Sequence, residues 1–440
     1  MTTHAADSAS ASAANRLAWW QHARFGMFIH WGLYTVGDVD CWAMHNLGTP
    51  VKKYVERLEP RFTARRFDAD VLAGIAKRGG ARYVVMGTRH HEGYCLWNTD
   101  TTGFSSAKLT PRRDFIGEYT KAVRAAGLKV GVYYSLLDWR CRAYWDGPRK
   151  DPAAWAAFVE YIHAQVREIV TRYGRIDILW FDGHWAPTQQ LWGFQPTEAE
   201  LADAWRSHDL LAMVRQHQPH ILINNRAALP ADFGTPEKLL VPESRPWEMC
   251  DTMGHWWGAS TRDLNRRTPL QLVSELIDCV KFGGNFLLNI GPRADGSPQP
   301  WQRRNMERIG DWLAKHGEAI YGCGAEWQQP FNEGLAPWAT TRRGNRLYMH
   351  LLRYPGPEFS VANLHDYHLI SAKLLDTGKT LKLRHEPTRD VITGLPARKP
   401  DPIAPVVELR IRPRTLAEAA RRQLIGVADP EAECRLAAAK

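Results

Sequence analysis

The run Ile178-Leu-Trp-Phe-Asp-Gly-His-Trp185 delivers a carboxylate at the point where an apolar segment stops. Ile178 to Phe181 form a short continuous apolar stretch with β-branched and aromatic content, which predicts a strand buried on both faces. Asp182 then stands at the strand end, beside Gly183 and between Trp180 and Trp185. Indole faces stack on the apolar C–H face of a pyranose, and a partly desolvated carboxylate among them can attack or stabilise an anomeric carbon. An Asp after a strand also commonly caps the next turn. Other polar residues must decide between the two roles.

Several of them follow apolar runs as Asp182 does. His30 and Trp31 end Phe25-Gly-Met-Phe-Ile-His-Trp31, and His90-His-Glu-Gly93 follows Tyr83–Gly87. Two adjacent His do not make a tetrahedral metal site without convergent partners, and no H-E-x-x-H or C-x-x-C pattern supplies them. Neutral imidazoles suit sugar hydroxyls better, since both donate and accept. Arg226 follows Ile221–Asn224 and can clamp a carboxylate or bond a sugar oxygen. Glycoside hydrolysis needs a second carboxyl group, and the candidates are Glu237 in Asp232-Phe-Gly-Thr-Pro-Glu237 and Glu248 in Pro246-Trp-Glu-Met-Cys250. The residues alone do not rank these two. No G-x-S-x-G elbow is present, so the usual serine hydrolase is excluded.

Holding these side chains on one face requires a particular scaffold. Apolar runs at Phe25–Trp31, Tyr83–Gly87, Val130–Ser135, Ile176–Phe181, Ile221–Asn224 and Phe286–Ile290 alternate with helical stretches. Trp155, Phe158, Val159, Ile162, Val166, Ile169 and Val170 keep the spacing of one buried helix stripe, as do Leu270, Val273, Leu276, Ile277 and Val280. Val71, Leu72 and Ile75 begin another stripe before Gly79-Gly80. Such alternation predicts an α/β fold, a parallel (β/α)₈-like TIM barrel over residues 15–330, whose strand ends gather at the active face. From about Asn332 short alternating runs split by Pro and Gly predict a small antiparallel β-sandwich at 331–412. Residues 1–14 read as a disordered leader, and 413–440 as a terminal helix or tail.

Composition narrows the function classes. The chain has 440 residues, 44% hydrophobic and 24% charged, with 19 Trp, an excess that suits flat apolar ligands such as sugars. A net charge of +10 raises nucleic acid as a partner, but the basic residues fall in scattered pairs such as Arg65-Arg66 and Arg342-Arg343, so no nucleic-acid partner is expected. Seven cysteines without a C-x-x-C pair read as thiols in a reducing compartment. Without a secretory n- and h-region or an 18-residue apolar run, a cytoplasmic chain with no membrane span is expected.

Five segments together resemble the α-L-fucosidases of glycoside hydrolase family 29. They are Ala23-Arg-Phe-Gly-Met-Phe-Ile-His-Trp-Gly32, Thr88-Arg-His-His-Glu-Gly-Tyr-Cys-Leu-Trp97, Gly127-Leu-Lys-Val-Gly-Val-Tyr-Tyr-Ser135, Ile178-Leu-Trp-Phe-Asp-Gly183 and Gly283-Gly-Asn-Phe-Leu-Leu-Asn-Ile-Gly-Pro292. The resemblance implies a barrel with a C-terminal sandwich, no cofactor, and retaining hydrolysis of α-L-fucosides, with fucosylated glycans or glycoconjugates as partners. It implies Asp182 as nucleophile, Glu237 as acid/base with Glu248 the alternative, and His30, Trp42, His90, His91, Tyr133, Trp180, Arg226 and Trp257 as sugar contacts. Two positions depart from the family pattern. Cys41 stands where Glu is common before the Trp, with Asp40 beside it, so either Asp40 reaches the pocket or hydroxyl recognition differs, and Glu92 stands where Asp is usual. A related retaining glycosidase or transglycosidase with altered sugar choice, or a non-catalytic sugar-binding protein, would share these features. The sequence leaves the linkage and the oligomeric state, homo-oligomer included, open.

Overall fold

The computed structural model describes residues 16–324, 338–362, 367–386, 389–415 and 418. The chain forms two compact units, Met1–Ala325 and Glu326–Lys440. The expected leader, the expected boundary at 330/331 and, apart from Glu418, the tail from residue 416 onward lie outside the described residues.

The first unit is built on a curled parallel sheet of seven strands: β1 (Phe25–Ile29), β2 (Tyr83–Arg89), β3 (Lys129–Ser135), β4 (Ile178–Asp182), β5 (Leu222–Ile223), β6 (Glu248–Thr252) and β7 (Asn285–Ile290). Their order is β5-β4-β3-β2-β1-β7-β6. Every residue of β1, β4 and β7 is buried, which is why Phe25–Ile29, Ile178–Phe181 and Phe286–Leu288 read as apolar runs without polar alternation. The crossovers run through helices α1 (Ala69–Arg78), α2 (Phe115–Ala125), α3 (Pro152–Arg172), α4 (Ser207–His217) and α5 (Pro269–Lys281), and α6 (Pro300–His316) follows β7. Three of them start where an Asp accepts a backbone N–H: Asp68 from Val71, Asp114 from Gly117 and Asp151 from Ala154. The expected stripe of α3 is buried throughout. On α1 the stripe is Leu72, Ile75 and Ala76, while Val71 faces solvent.

Between β5 and β6 a non-helical segment bridges the sheet. Asp232 N–H donates to Ile223 O, Glu248 N–H to Gly234 O, Cys250 N–H to Pro236 O and Lys238 N–H to Cys250 O. Residues 232–238 thus occupy the place of an eighth strand. Pro236, lacking an N–H, keeps them from forming a regular ladder. β6 itself was not legible from its sequence, Glu-Met-Cys-Asp-Thr, because two carboxylates break the apolar run. Both find distant partners: Glu248 accepts from Tyr83 and Trp180, and Asp251 pairs with Arg267 at 3.1 Å.

The second unit is a seven-stranded antiparallel sheet in the order β10-β13-β12-β11-β14-β9-β8. Its strands are β8 (Ala339–Arg343), β9 (Arg346–His350), β10 (Glu358–Ala362), β11 (Tyr367–Leu374), β12 (Lys379–His385), β13 (Arg389–Thr393) and β14 (Val406–Pro413). Val361 on β10 and Leu347 on β9, near opposite ends of that order, share one apolar core with Ile392 and Leu374. The sheet therefore folds over on itself in sandwich fashion. β8, Ala-Thr-Thr-Arg-Arg, and β13, which opens on Arg389-Asp390, lack an alternating apolar pattern that would mark them in the sequence.

Candidate active site

Register brings the site residues together at the C-terminal ends of β1 to β5. β3 and β4 pair Tyr133 with Trp180 and Ser135 with Asp182, while His30, His90 and His91 follow β1 and β2 directly. A cavity of about 70 Å³ lies over these ends, and His30, Trp42, His90, His91, Tyr133, Trp180, Asp182, Arg226, Glu237 and Trp257 all line it. Directly after Asp182, Gly183 turns the chain at φ 76°, where a Cβ would also press against Leu137 at 2.9 Å.

Asp182 is nine-tenths buried at its side chain, so its charge must be compensated. Tyr133 Oη donates to its Oδ2 at 2.9 Å and Arg226 Nη1 to its Oδ1 at 3.1 Å. Burial alone pushes the carboxyl pKa up. The Arg226 guanidinium, His91 and the Tyr133 hydroxyl outweigh it and hold the pKa below the usual aspartate value. The group is an anion in the working range.

Two of the histidines have assignable tautomers. Ser135 Oγ donates to Leu137 O at 2.9 Å, so it accepts from His91 Nδ1–H at 2.8 Å. Asn289 Nδ2 donates to Trp257 O at 2.7 Å, so its Oδ1 accepts from His30 Nδ1–H at 2.8 Å. Burial lowers the pKa of both rings to about 4, which keeps them neutral and leaves each Nε2 as an acceptor for a hydroxyl. His90, stacked on Tyr133 at 5.4 Å, is driven well below its usual value by burial and by its two histidine neighbours.

Glu237 is carried by the bridging segment, and its side chain is 39% exposed at the mouth. Arg226 Nη1 contacts Glu237 Oε2 at 3.0 Å and, as noted, Asp182 Oδ1 at 3.1 Å. Because both contacts share one nitrogen, these two oxygens lie at most about 6 Å apart. That bound on one oxygen pair is compatible with the roughly 5–5.5 Å carboxyl spacing of retaining glycosidases. Arg226 is fixed in turn, its Nε donating to Thr235 Oγ1 and its Nη2 to Thr235 O, both at 3.0 Å, with its guanidinium 4.7 Å from the Trp180 ring centre.

The alternative acid/base, Glu248, lies elsewhere. It opens β6 at the opposite end of the strands, fully buried, accepting from Tyr83 Oη and, at 3.3 Å, from Trp180 Nε1. Burial raises its pKa to about 7. It touches the underside of Trp180 and does not line the pocket. Asp40 requires a similar correction. Its Oδ1 accepts from Trp257 N–H at 3.2 Å and Gly258 N–H at 3.3 Å, and it is absent from the pocket lining, whereas Cys41 is present. Asp40 holds the Trp257 loop, and Cys41 presents a buried thiol to the ligand space. Glu92 turns away to a hydrogen bond from Tyr54, its pKa pushed up to about 8 by burial.

Trp42 and Trp185 lie parallel, 6.4 Å apart, forming an aromatic part of the lining. Phe28 and Cys250 also line the pocket, and Asn289, Ser135 and Thr235 orient its polar groups. The sequence reading did not single these out. Asn289 had one signal, a polar residue within a buried strand. Thr235 had none.

A profile of the family described as Alpha-L-fucosidase matches residues 2–318. The tissue alpha-L-fucosidase of Bos taurus is 30% identical over 383 residues, 79% of this chain and 76% of that protein. Among solved structures, alpha-L-fucosidase isoenzyme 1 from Paenibacillus thiaminolyticus superposes with a TM-score of 0.80 at 33% identity, covering 91% of this chain and all of the other. A Bacteroides thetaiotaomicron alpha-L-fucosidase, trapped as a covalent intermediate in complex with 2-fluoro-fucosyl fluoride, gives a TM-score of 0.80 at 25% identity, over 90% of this chain and 96% of that one.

Proposed function

This chain belongs to the α-L-fucosidase family, and from the chemistry of its pocket we propose that it removes terminal α-L-fucose from glycans or glycoconjugates by double displacement. The observation that carries the reading is the shared Arg226 nitrogen, which holds one oxygen of Asp182 and one of Glu237 within about 6 Å of each other across the pocket, as a nucleophile and an acid/base must stand. Asp182, held ionised, attacks the anomeric carbon while Glu237 protonates the leaving oxygen, giving a β-fucosyl ester on Asp182 and the free aglycone. Glu237 then takes a proton from water, which attacks the same carbon, breaks the ester and releases α-L-fucose. His30 and His91 accept hydrogen bonds from sugar hydroxyls at Nε2, and Trp180, Trp257 and Trp42 supply apolar faces. The pocket's small volume, about 70 Å³, supports action on a single terminal sugar.

A second reading concerns the sugar. Cys41 offers no charged acceptor in the lining, which favours altered hydroxyl recognition over a change of mechanism. A non-catalytic sugar-binding role leaves the paired carboxylates unexplained. The test is hydrolysis of a chromogenic aryl α-L-fucoside beside the matching galactoside and arabinoside. Preferred cleavage of the fucoside supports the first reading, and a preferred galactoside or arabinoside the second. No cleavage of any would overturn both. The six described cysteines are free thiols, which supports a reducing, cytoplasmic setting that cell fractionation checks. Among the described residues no helix is long and apolar enough to cross a membrane.

A further inference from the structure

A second cavity, of about 520 Å³, opens on the same face as the fucose pocket and takes no part in the chemistry above. Its walls follow three strands that neighbour one another in the sheet: Thr35 and Asp38 come after β1, Ser260 and Arg266 after β6, and Arg293 and Arg304 after β7. Its charge is lopsided. Three guanidinium groups line it, against the single carboxylate of Asp38. That carboxylate is already engaged, its Oδ1 accepting from Thr261 N–H at 2.7 Å and its Oδ2 from Thr261 Oγ1.

The arginines are not neutralised in the same way. Arg266 donates to Asp263 O at 3.2 Å and lies 5.1 Å from the Trp301 ring centre, so it is oriented without a counter-ion among the described residues. Among the described residues, neither Arg293 nor Arg304 forms an ion pair. Asp295, the acid that feels Arg293, is bonded to Ser297 and sits 3.9 Å from Arg66. The first turn of α6, at Pro300, Trp301 and Arg304, completes the wall and has no side-chain cap. Its backbone N–H groups add partial positive charge to that of the guanidiniums.

Residues two positions apart on one loop line this cavity and the fucose pocket. Trp257 lines the pocket and Ala259 the cavity, and the loop that carries both is tied to the segment after β1, by Asp40 at Trp257 and by Asp38 at Thr261. We propose that the cavity is a binding subsite for glycans that carry an anionic substituent, a sulfate ester or a carboxylate, on the sugars beyond the fucose. The proposal rests on the fucosidase reading for what lies across the loop, but anion binding itself does not.

The test uses fucose-free probes, so that failure of the catalytic reading does not obscure it. N-acetyllactosamine, its 6-sulfate and its 3′-sialylated form are titrated calorimetrically into the wild-type chain and into an Arg293→Ala/Arg304→Ala double variant, both positions being exposed. At least one anionic probe should bind tenfold or more tightly than the neutral one, lose tenfold or more in the double variant, and weaken as salt rises. Whichever anion binds better identifies the source. Aryl fucoside kcat and KM should be the same in both proteins. Equal binding of neutral and anionic probes, undiminished binding in the double variant, or inorganic sulfate binding as tightly as the sulfated sugar would overturn the subsite. Anionic probes binding as expected to a protein that leaves aryl fucosides intact would uphold the subsite and overturn the catalytic reading instead.

Discussion

Replacing Arg226 by Met removes the cation between the two carboxylates while leaving an apolar stem against Trp180. The guanidinium and Asp182 carboxylate touch at 3.1 Å, which puts their charge centres roughly 4 Å apart. At an effective dielectric near 20 that attraction is about 4 kcal/mol, or about three pKa units, an upper bound because Tyr133 remains to stabilise the anion. Without Arg226 the upward push of burial is opposed only by His91 and the Tyr133 bond, so the Asp182 pKa rises. The nucleophile must be ionised, so the acid limb of the kcat/KM profile should move to higher pH by about one to three units. Arg226→Lys keeps the charge but loses the fork to Thr235, and should move the limb less. The assay is kcat/KM against pH on an activated aryl fucoside, with circular dichroism to establish folding at each pH. An unmoved limb in a folded Arg226→Met variant, or one moved to lower pH, would refute the electrostatic account.

Other perturbations separate the remaining roles. Glu237→Ala should cost about 10²- to 10⁴-fold on natural glycans with poor leaving groups and far less on activated aryl fucosides, measured as kcat/KM across a leaving-group series. A flat dependence on leaving group would remove Glu237 from the acid/base role. Glu248, with a folded pKa of about 7 against an ordinary 4.5, keeps its proton when the unfolded chain has released it. Its burial therefore erodes stability as pH rises from 4.5 to 7, by on the order of 3 kcal/mol in total. Glu248→Gln should accordingly gain on the wild type in denaturant unfolding across that window, and parallel curves would contradict its placement. Asp40→Ala should raise KM several-fold with little change in kcat, since it frees the Trp257 backbone, whereas Asp40→Asn should be nearly silent because an amide oxygen accepts the same bonds. Equal effects of the two substitutions on Michaelis kinetics would mean that the Asp40 charge acts on the sugar directly.

Asp182 was legible in the sequence because a strand buried on both faces is written as an unbroken apolar run, and the carboxylate marks where it ends. β6 follows the same geometry but not the same text. Its Glu248 is satisfied by Tyr83 and its Asp251 by Arg267, partners that no local pattern announces. The same non-locality left Glu237 and Glu248 unranked, since both stand near Pro and aromatic residues and only the sheet puts them at opposite ends of the strands. Asp40 reads as a pocket acceptor beside Cys41 and Trp42, but its hydrogen-bond partners lie 217 and 218 positions away. Thr235, which orients Arg226, belongs to a bridging segment whose regularity Pro236 breaks, so neither periodicity nor spacing marks it.

The most direct test of the central claim is covalent labelling. The protein is incubated with 2-deoxy-2-fluoro-α-L-fucosyl fluoride, whose fluorine slows hydrolysis of the glycosyl ester, and the peptides are mapped by mass spectrometry. The account predicts time-dependent inactivation and one fluorofucosyl group on Asp182, the carboxylate that Tyr133 and Arg226 hold ionised. A label on any other residue, or inactivation that persists in an Asp182→Gly variant carrying the same label, would contradict it.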